Sequence, residues 1–239
     1  MEYEEIIKKL ESLKNPRNVE GMAHFGIRPK ITALGAPTPE LRKLARQIKK
    51  DHDIALKLWD KKIHESRVLA SMVDEPDKVT EKQMEKWAED FDSWGVCDQA
   101  CMNLFCRTKF AHKKVFDFAK REEEFVRRTA FALIATLAVH DKKATDKEFI
   151  KFFPLIKKAS TDERNFVKKA VNWALRQIGK RNKKLNKEAI KLAKEIHPVI
   201  RPGAPLDNGA KSAKWIASDA LRELTSEAVQ KRLNEKYLQ

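Results

Sequence analysis

The most informative feature of the sequence is one carboxylate placed among apolar side chains, Asp98 in the stretch WAEDFDSWGVCDQACMNLFC. Winding residues 93–107 as a helix at about 100° per residue puts Asp98 at the margin of an apolar face, one turn after Trp94. That face consists of Val96, Cys97, Ala100, Cys101, Leu104 and Phe105. A carboxylate there costs free energy unless it is paired, hydrogen-bonded or functional. Two interpretations stay open: Asp98 pairs with or caps a neighbouring helix, or it does chemistry.

Aromatic and basic side chains share one side of a later helical stretch, residues 165–179. Its predicted core face is complete and consists of Val167, Ala170, Val171, Ala174, Leu175 and Ile178. On the opposite side lie Lys169, Trp173, Arg176 and Lys180. Trp173 could pack structurally on another helix or under one of these cations. The same grouping also suits a phosphate backbone with a sugar or base against a ring.

A third stretch, residues 124–138, presents Arg128 opposite its apolar face. The predicted core positions are Val126, Ala130, Leu133, Ile134 and Leu137. Ala132 and Ala135 flank Arg128 and would leave room for a close approach to the helix, although a solvated arginine is the plain alternative. Together the three stretches predict a cleft with two aromatic faces, one carboxylate and phosphate-binding cations. Cleavage of a glycosidic bond in a nucleic acid would use these groups.

We expect these residues to lie on helices. In nearly every long window the apolar residues repeat every 3.6 positions, and the chain contains only 7 Gly and 9 Pro in 239 residues. We predict an all-α fold with an amphipathic first helix, a mainly irregular segment over 15–40 with a helical piece at Val19 to Phe25, and a cap at Thr38 before Pro39. The later helices are predicted at about 39–50, 51–60, 63–73, 80–90, 93–107, 111–119, 122–139, 146–159, 162–179, 185–195 and 208–223.

Internal similarity predicts how these helices pack. Residues 124–138 align with 165–179 at an offset of 41, and 64–76 and 210–224 are looser relatives. A repeat of two helices whose length varies along the chain is typical of a curved α-solenoid of HEAT-like repeats. In such a solenoid the second helix of each repeat lines the concave side. We expect one domain over 1–239, with residues 1–40 as N-terminal helices and loop. The segment 197–209, rich in Pro and Gly, is expected to be an irregular loop that caps the solenoid or contacts a ligand.

Charge and cysteine content limit the function classes. The formal charge of +15 and pI near 9.7 favour a polyanionic partner, most simply nucleic acid. The spacing of Cys97, Cys101 and Cys106 matches neither a disulfide framework nor a zinc site, so we expect buried reduced thiols, no metal and no cofactor. No run has the length of a membrane span and the N-terminus has no signal-peptide character, so we expect a soluble, cytoplasmic protein, associated with the nucleoid in a prokaryote. We also expect a monomer.

Three segments carry a resemblance to a known family: SWGVCD at 93–98, VRRTAF at 126–131 and FVKKAVNWALR at 166–176. From about residue 20 to 195 the chain resembles the HEAT-like-repeat DNA alkylation repair proteins, the AlkD-like alkylpurine DNA glycosylases. The resemblance implies that Asp98 is the catalytic carboxylate and that Trp94 and Trp173 are the cleft tryptophans. It implies that Arg128 is the cleft arginine and that Arg176 contacts the DNA backbone. The other expected DNA contacts are Lys169, Lys180, Arg127 and Phe25.

The resemblance also has departures. Gly95 stands where a bulkier polar residue is usual, and Phe25 lacks the hydroxyl of the corresponding family aromatic. The implied substrate is double-stranded DNA that contains purines made cationic by alkylation at N3 or N7. The resemblance also implies that the protein binds the DNA backbone and has no deep pocket of the kind that base flipping needs. Some members of the family keep the fold without glycosylase activity. A non-catalytic protein that binds branched or bent DNA, a lysine-dependent abasic-site lyase and a protein-binding scaffold therefore remain alternatives; the scaffold alone predicts DNA binding insensitive to salt.

Overall fold

The computed structural model describes residues 1–197 and 208–235, and most of the loop predicted at 197–209 lies outside them. The described residues form fifteen α-helices and no named strand, with one isolated bridge between Thr32 and Ile63. They divide into two compact units, Met1–Ala111 and His112–Gln239. The all-α prediction is confirmed, whereas the single domain over 1–239 stays a prediction.

Unit 1 is organised around a helix that is buried along almost its whole length, α5 (His64–Val73). This helix packs against α3 (Thr38–Ile48), α4 (His52–Asp60) and α7 (Trp94–Asn103). The unit also contains α1 (Tyr3–Ser12), α2 (Pro16–His24), α6 (Glu81–Glu89) and a 3-10 turn at Phe105–Arg107.

Two tryptophans form the aromatic centre of unit 1. The indoles of Trp59 and Trp87 stack with centroids 3.9 Å apart and planes 4° from parallel. The Arg67 guanidinium lies 5.0 Å from the centroid of the Trp59 ring, a distance at which a cation is attracted by the π electrons. Both indoles are buried, so α4 and α6 are joined by a large apolar contact with a defined geometry.

Unit 2 is built on two long helices, α9 (Glu124–His140) and α12 (Asn165–Gly179), which pack along each other more extensively than any other helix pair among the described residues. These are the two strongest predicted repeats. α8 (Ala111–Phe118) begins at the division between the units. The other helices are α10 (Asp146–Ile150), α11 (Phe153–Ala159), α13 (Lys183–Ile196), α14 (Asn208–Leu224) and α15 (Glu227–Glu235).

Several predicted helix boundaries need correction. The predicted helix over 146–159 is two helices, because Pro154 occupies the first turn of α11, where its missing N–H costs nothing. The cap predicted at Thr38 is wrong. α3 begins at Thr38 itself, after the extended Pro37, and no side chain caps it. α7 ends at Asn103 rather than at 107, and α15 was not predicted.

Within the described residues, no helix combines the length and apolar character needed to cross a bilayer.

Candidate functional site

The apolar face predicted for α7 is confirmed. Its six residues, Val96, Cys97, Ala100, Cys101, Leu104 and Phe105, are all buried. Asp98 is half-buried at the edge of this face. Trp94, the first residue of α7, is half-buried one turn before it. The helix therefore presents an indole and a carboxylate side by side, as the spacing predicts.

The chain that follows α2 contacts Trp94 directly. The indole Nε1–H of Trp94 donates a hydrogen bond to the Phe25 carbonyl at 3.1 Å, while the Phe25 side chain is 70% exposed. The structure thus brings together three of the predicted site residues, Phe25, Trp94 and Asp98.

These three residues line a cavity of about 460 Å³ within unit 1, which we call the Trp94 cavity. Its walls come from α2, from the loop before α3, and from α3, α5 and α7. The apolar part includes Met22, Ile27, Leu41 and Val68, and the polar part includes His64, Glu65 and Gln99. The volume is within the range of about 300–1,000 Å³ found for small-molecule sites.

Glu65 fixes the loop that closes one side of the cavity. Its two carboxylate oxygens accept hydrogen bonds from the backbone N–H groups of Leu34, at 2.8 Å, and Gly35, at 2.7 Å. Gly35 has φ +74°, and a Cβ there would lie 2.2 Å from the Asn15 carbonyl oxygen, so the turn requires glycine. The buried carboxylate is therefore compensated by two backbone donors and holds the cavity wall in place.

His64 contributes a buried imidazole to the same wall. The residue is 6% exposed, and its Nδ1 has no hydrogen-bond partner among the described residues. Burial lowers the pKa of His64, against the opposing charges of Glu65 and Asp92. The ring is therefore neutral at pH 7. Sequence reasoning missed His64 and Glu65, although two ionisable residues at the start of an otherwise core-like stretch, HESRVLASMV, were the available signal.

The three cysteines of this region are buried and free of disulfides. Burial raises the pKa of the Cys101 thiol well above its ordinary value, and contact with Cys97 and the nearby charge of Asp98 raise it further. Such a thiol stays protonated and is a poor nucleophile. Among the described residues, no group of three or more His, Cys, Asp or Glu side chains is arranged to hold a metal ion.

The expected exposure of Arg128, in unit 2, is wrong. The residue is 5% exposed, Ala132 and Ala135 are fully buried, and Arg128 Nη1 donates to the Phe166 carbonyl at 2.5 Å. α9 is buried on nearly every side, so the face opposite its apolar stripe is also interior. Arg128 thereby ties α9 to the first turn of α12.

The core face predicted for α12 is confirmed, since all six of its residues are fully buried. On the other side Lys169 is exposed and Trp173 is half-buried. Arg176 forms ion pairs with Asp219 at 3.5 Å and with Glu223, and Lys180 also pairs with Glu223. Both cations are thus partly neutralised by acids of α14 in the free protein.

Arg127, in the first turn of α9, binds residues of the segments that precede α9 and α12. Its guanidinium donates to the Arg121 carbonyl at 2.7 Å and pairs with Asp162 at 3.1 Å and Glu122 at 2.8 Å. Burial acts to raise the pKa of Asp162, but hydrogen bonds from Arg164 and Arg127 outweigh it and lower the pKa. This network stabilises the starts of α9 and α12, so the predicted DNA contact by Arg127 would compete with it.

These features define a basic helical-repeat protein in which a carboxylate and an indole line one cavity. The chain belongs to the family of DNA alkylation repair enzymes, whose family model matches residues 6–224. The resemblance seen in the sequence is therefore confirmed at the family level.

The fold is shared with a solved structure. That protein is described as one of a new family related to the HEAT-like repeat DNA glycosylases with affinity for branched DNA structures. The similarity has a TM-score of 0.73 and 16% sequence identity, and it covers 93% of this chain and 97% of that chain. At this identity the comparison establishes the HEAT-like helical fold.

Two curated relatives are uncharacterized Listeria proteins. Lmo0209 of Listeria monocytogenes is 26% identical over 87 residues, which are 36% of this chain and 39% of that protein. Lin0241 of Listeria innocua is 26% identical over 95 residues, which are 38% of this chain and 42% of that protein. The chain thus matches well under half the length of these relatives.

Proposed function

We propose that this protein is a monofunctional DNA glycosylase that removes purines made cationic by alkylation at N3 or N7. The observation that carries the proposal is the placement of Asp98, a half-buried carboxylate, beside the Trp94 indole in the wall of one cavity. Membership of the DNA alkylation repair enzyme family supports the substrate class.

The chemistry follows from the charge of the substrate. A cationic purine is already a good leaving group, so the C1′–N bond breaks with its electron pair going to the base, which becomes neutral. Positive charge then develops on the deoxyribose. An ionised Asp98 stabilises that charge and orients a water, which adds its oxygen to C1′ and gives up a proton to leave an abasic sugar. The Trp94 ring adds cation–π stabilisation.

Unit 2 contributes DNA binding in this proposal. Lys169 is exposed and supplies a phosphate contact directly, while Arg127, Arg176 and Lys180 would exchange their acid partners for phosphates. Trp173, half-buried on the same helix as Lys169, is a further proposed aromatic contact to the DNA. Arg128 acts as a positioning residue, because it holds the first turn of the helix that carries Lys169 and Trp173.

The test is release of bases from methylated duplex DNA, followed by chromatography. Wild type should free methyladenine or methylguanine, and Asp98→Asn should lower the rate by about 10²–10³-fold, the usual effect of removing one electrostatic stabiliser. Asp53→Asn, at an exposed position of α4 in the same unit, removes the same charge and should leave the rate unchanged. Absence of release by wild type contradicts the glycosylase proposal, and full activity of Asp98→Asn contradicts the role of Asp98.

The second candidate function is recognition of branched DNA without hydrolysis. It is favoured by the fold shared over 93% of the chain with a protein from a family with affinity for branched DNA structures. It predicts that a four-way junction competes for the protein more strongly than a linear duplex of equal length, together with no base release. Equal competition by the two DNAs would contradict it.

A further inference from the structure

The contact between α12 and α14 includes three side-chain pairs, spaced one helical turn apart. The pairs are Lys168 with Trp215, Asn172 with Asp219, and Arg176 with Glu223. In the second and third pairs α14 supplies a carboxylate. In the first pair it supplies an indole instead, and the Lys168 Nζ lies 5.3 Å from the centroid of the Trp215 ring. The first turns of the two helices therefore meet without an acid, and the Lys168 cation contacts a π face.

The Trp215 indole is open to solvent. The residue is 40% exposed, whereas Trp59 and Trp87 are each 1% exposed. α14 buries other residues against its neighbours, among them Ile216, Ala217 and Ala220. The indole is thus held on one side by Lys168 and remains available for a further contact.

Lysines from both helices lie around this ring. Lys211 is exposed one turn before Trp215 on the same side of α14, and Lys214 is exposed beside it. Lys169 is exposed next to Lys168 on α12. The first turns of the two helices, NFVK and NGAK, contain no acidic residue. We call these four lysines and Trp215 the Trp215 patch.

We propose that the Trp215 patch binds an unpaired DNA strand, with one base stacked on the indole and the adjacent phosphates paired with the lysines. Aromatic rings among cations are the means by which proteins bind single strands. In a duplex the faces of a base are covered by its stacked neighbours, so an unpaired base offers the indole a free face. The inference rests on the DNA-binding part of the proposed function and uses none of its hydrolytic chemistry.

The spacing in the patch fits one nucleotide at a time. Side chains four residues apart on a helix are about 5–6 Å apart at Cβ, so a nucleotide can place its base on Trp215 and its phosphate at Lys211. Lys168 and Lys169 are available to the next phosphate, on the α12 side of the ring. The long flexible lysine side chains suit a single strand, because its phosphates are not held in a fixed geometry.

The first experiment measures the affinity for a labelled oligothymidylate by fluorescence anisotropy. Trp215→Leu keeps an apolar side chain without a ring and should weaken binding at least about fivefold, whereas Trp215→Phe should retain most of the affinity. Val139→Ala is the control, because Val139 is an apolar residue of the same unit that is also 40% exposed, and it should bind as wild type does. For a fully paired duplex of equal length, Trp215→Leu should change the affinity less than about twofold.

Thermal unfolding establishes that each variant is folded. Equal affinity of wild type and folded Trp215→Leu for the oligothymidylate overturns the proposal. Equal losses for the single strand and the duplex overturn the assignment to an unpaired strand.

The second experiment tests the lysines through the salt dependence of oligothymidylate binding. Lys168→Gln should reduce the slope of log K against log salt by about 0.7, the value for one phosphate contact on a single strand. Lys187→Gln removes the same charge from an exposed position of α13, outside the patch, and should leave the slope unchanged. Equal slopes for these two variants would overturn the phosphate contact by Lys168.

The third experiment identifies the stacked residue directly. An oligothymidylate with one 5-iodouracil is irradiated in complex with the protein, which links the base to an aromatic side chain in contact with it. Tryptic digestion and mass spectrometry should place the link in the peptide 215–222, and the link should be absent from Trp215→Leu. Links found only in other peptides would overturn the role of Trp215.

These results separate the inference from the proposed glycosylase function. Wild type that releases bases but binds the oligothymidylate without help from Trp215 refutes this inference alone. Binding that depends on Trp215, without base release, refutes only the glycosylase function.

Discussion

Removal of the Glu223 carboxylate should strengthen DNA binding. Glu223 holds both Arg176 and Lys180, and these three side chains are only 18–28% exposed. Glu223→Gln keeps the size of the side chain and removes its charge, so the two cations become available to phosphates. If they face DNA as predicted, each added phosphate contact steepens the slope of log K against log salt by about 0.9 and raises affinity about eightfold near 0.1 M salt.

The effect on stability should be small. Burial acts to raise the pKa of Glu223, but its hydrogen bond with Lys180 and the charge of Arg176 outweigh it and lower the pKa. The ion pairs of Glu223 therefore stabilise the folded state at pH values above the ordinary pKa of a glutamate. That stabilisation is lost as the pH falls through the lowered pKa of Glu223. Because the pairs are partly exposed, we expect Glu223→Gln to cost less than about 1 kcal/mol.

The assay is fluorescence anisotropy of a labelled duplex, titrated at several KCl concentrations. Glu195→Gln is the matched control: Glu195 pairs with Lys157 at 2.9 Å on exposed surface, and its loss adds the same unit of positive charge. A steeper salt slope for Glu223→Gln than for Glu195→Gln supports DNA contacts by Arg176 and Lys180. Identical slopes for the two variants would refute the reasoning and leave those cations as structural partners of α14.

Three further predictions concern stability and binding. Gly35→Ala should destabilise unit 1 by at least about 1–2 kcal/mol, because φ is +74° and the new Cβ would meet the Asn15 carbonyl, and a Tm equal to that of wild type would contradict this. His64 has a lowered pKa in the folded state, so as the pH falls the unfolded chain binds this proton before the folded protein does. Below about pH 6.5 the free energy of unfolding should therefore decrease with falling pH, by at most about 1.4 kcal/mol per pH unit. In urea unfolding, His64→Asn should reduce this pH dependence. Lys169→Ala should reduce the salt slope of DNA binding by about 0.9, and an unchanged slope would remove this exposed residue from the proposed interface.

The periodicity of apolar residues correctly predicted the helices that are buried on one face. The apolar stripes of α7 and α12 were located residue by residue, because a helix packed on one face repeats its apolar positions every 3.6 residues. The same reasoning failed for Arg128, since α9 is covered on nearly all sides and a helical wheel cannot show a second neighbour. A buried arginine with the Phe166 carbonyl as its acceptor is a tertiary feature.

The candidate site was only partly predictable for the same reason. Trp94 and Asp98 are one helical turn apart, so local geometry brings them together. Phe25 joins them through a hydrogen bond that spans 69 residues, and Glu65 reaches a loop about 30 residues earlier. Asp219 and Glu223, which neutralise Arg176, lie on a helix more than 40 residues away. Such contacts depend on chain topology, which side-chain spacing does not encode.

The stacked indoles of Trp59 and Trp87 also give unit 1 an optical signature of its own. Two parallel chromophores 3.9 Å apart couple their electronic transitions, so the folded unit should show a split circular-dichroism band that vanishes when α4 and α6 separate. The remaining three tryptophans, Trp94, Trp173 and Trp215, contribute to emission but not to this pair. Unfolding of Met1–Ala111 can therefore be followed by ellipticity while DNA binding is monitored by fluorescence in the same cuvette.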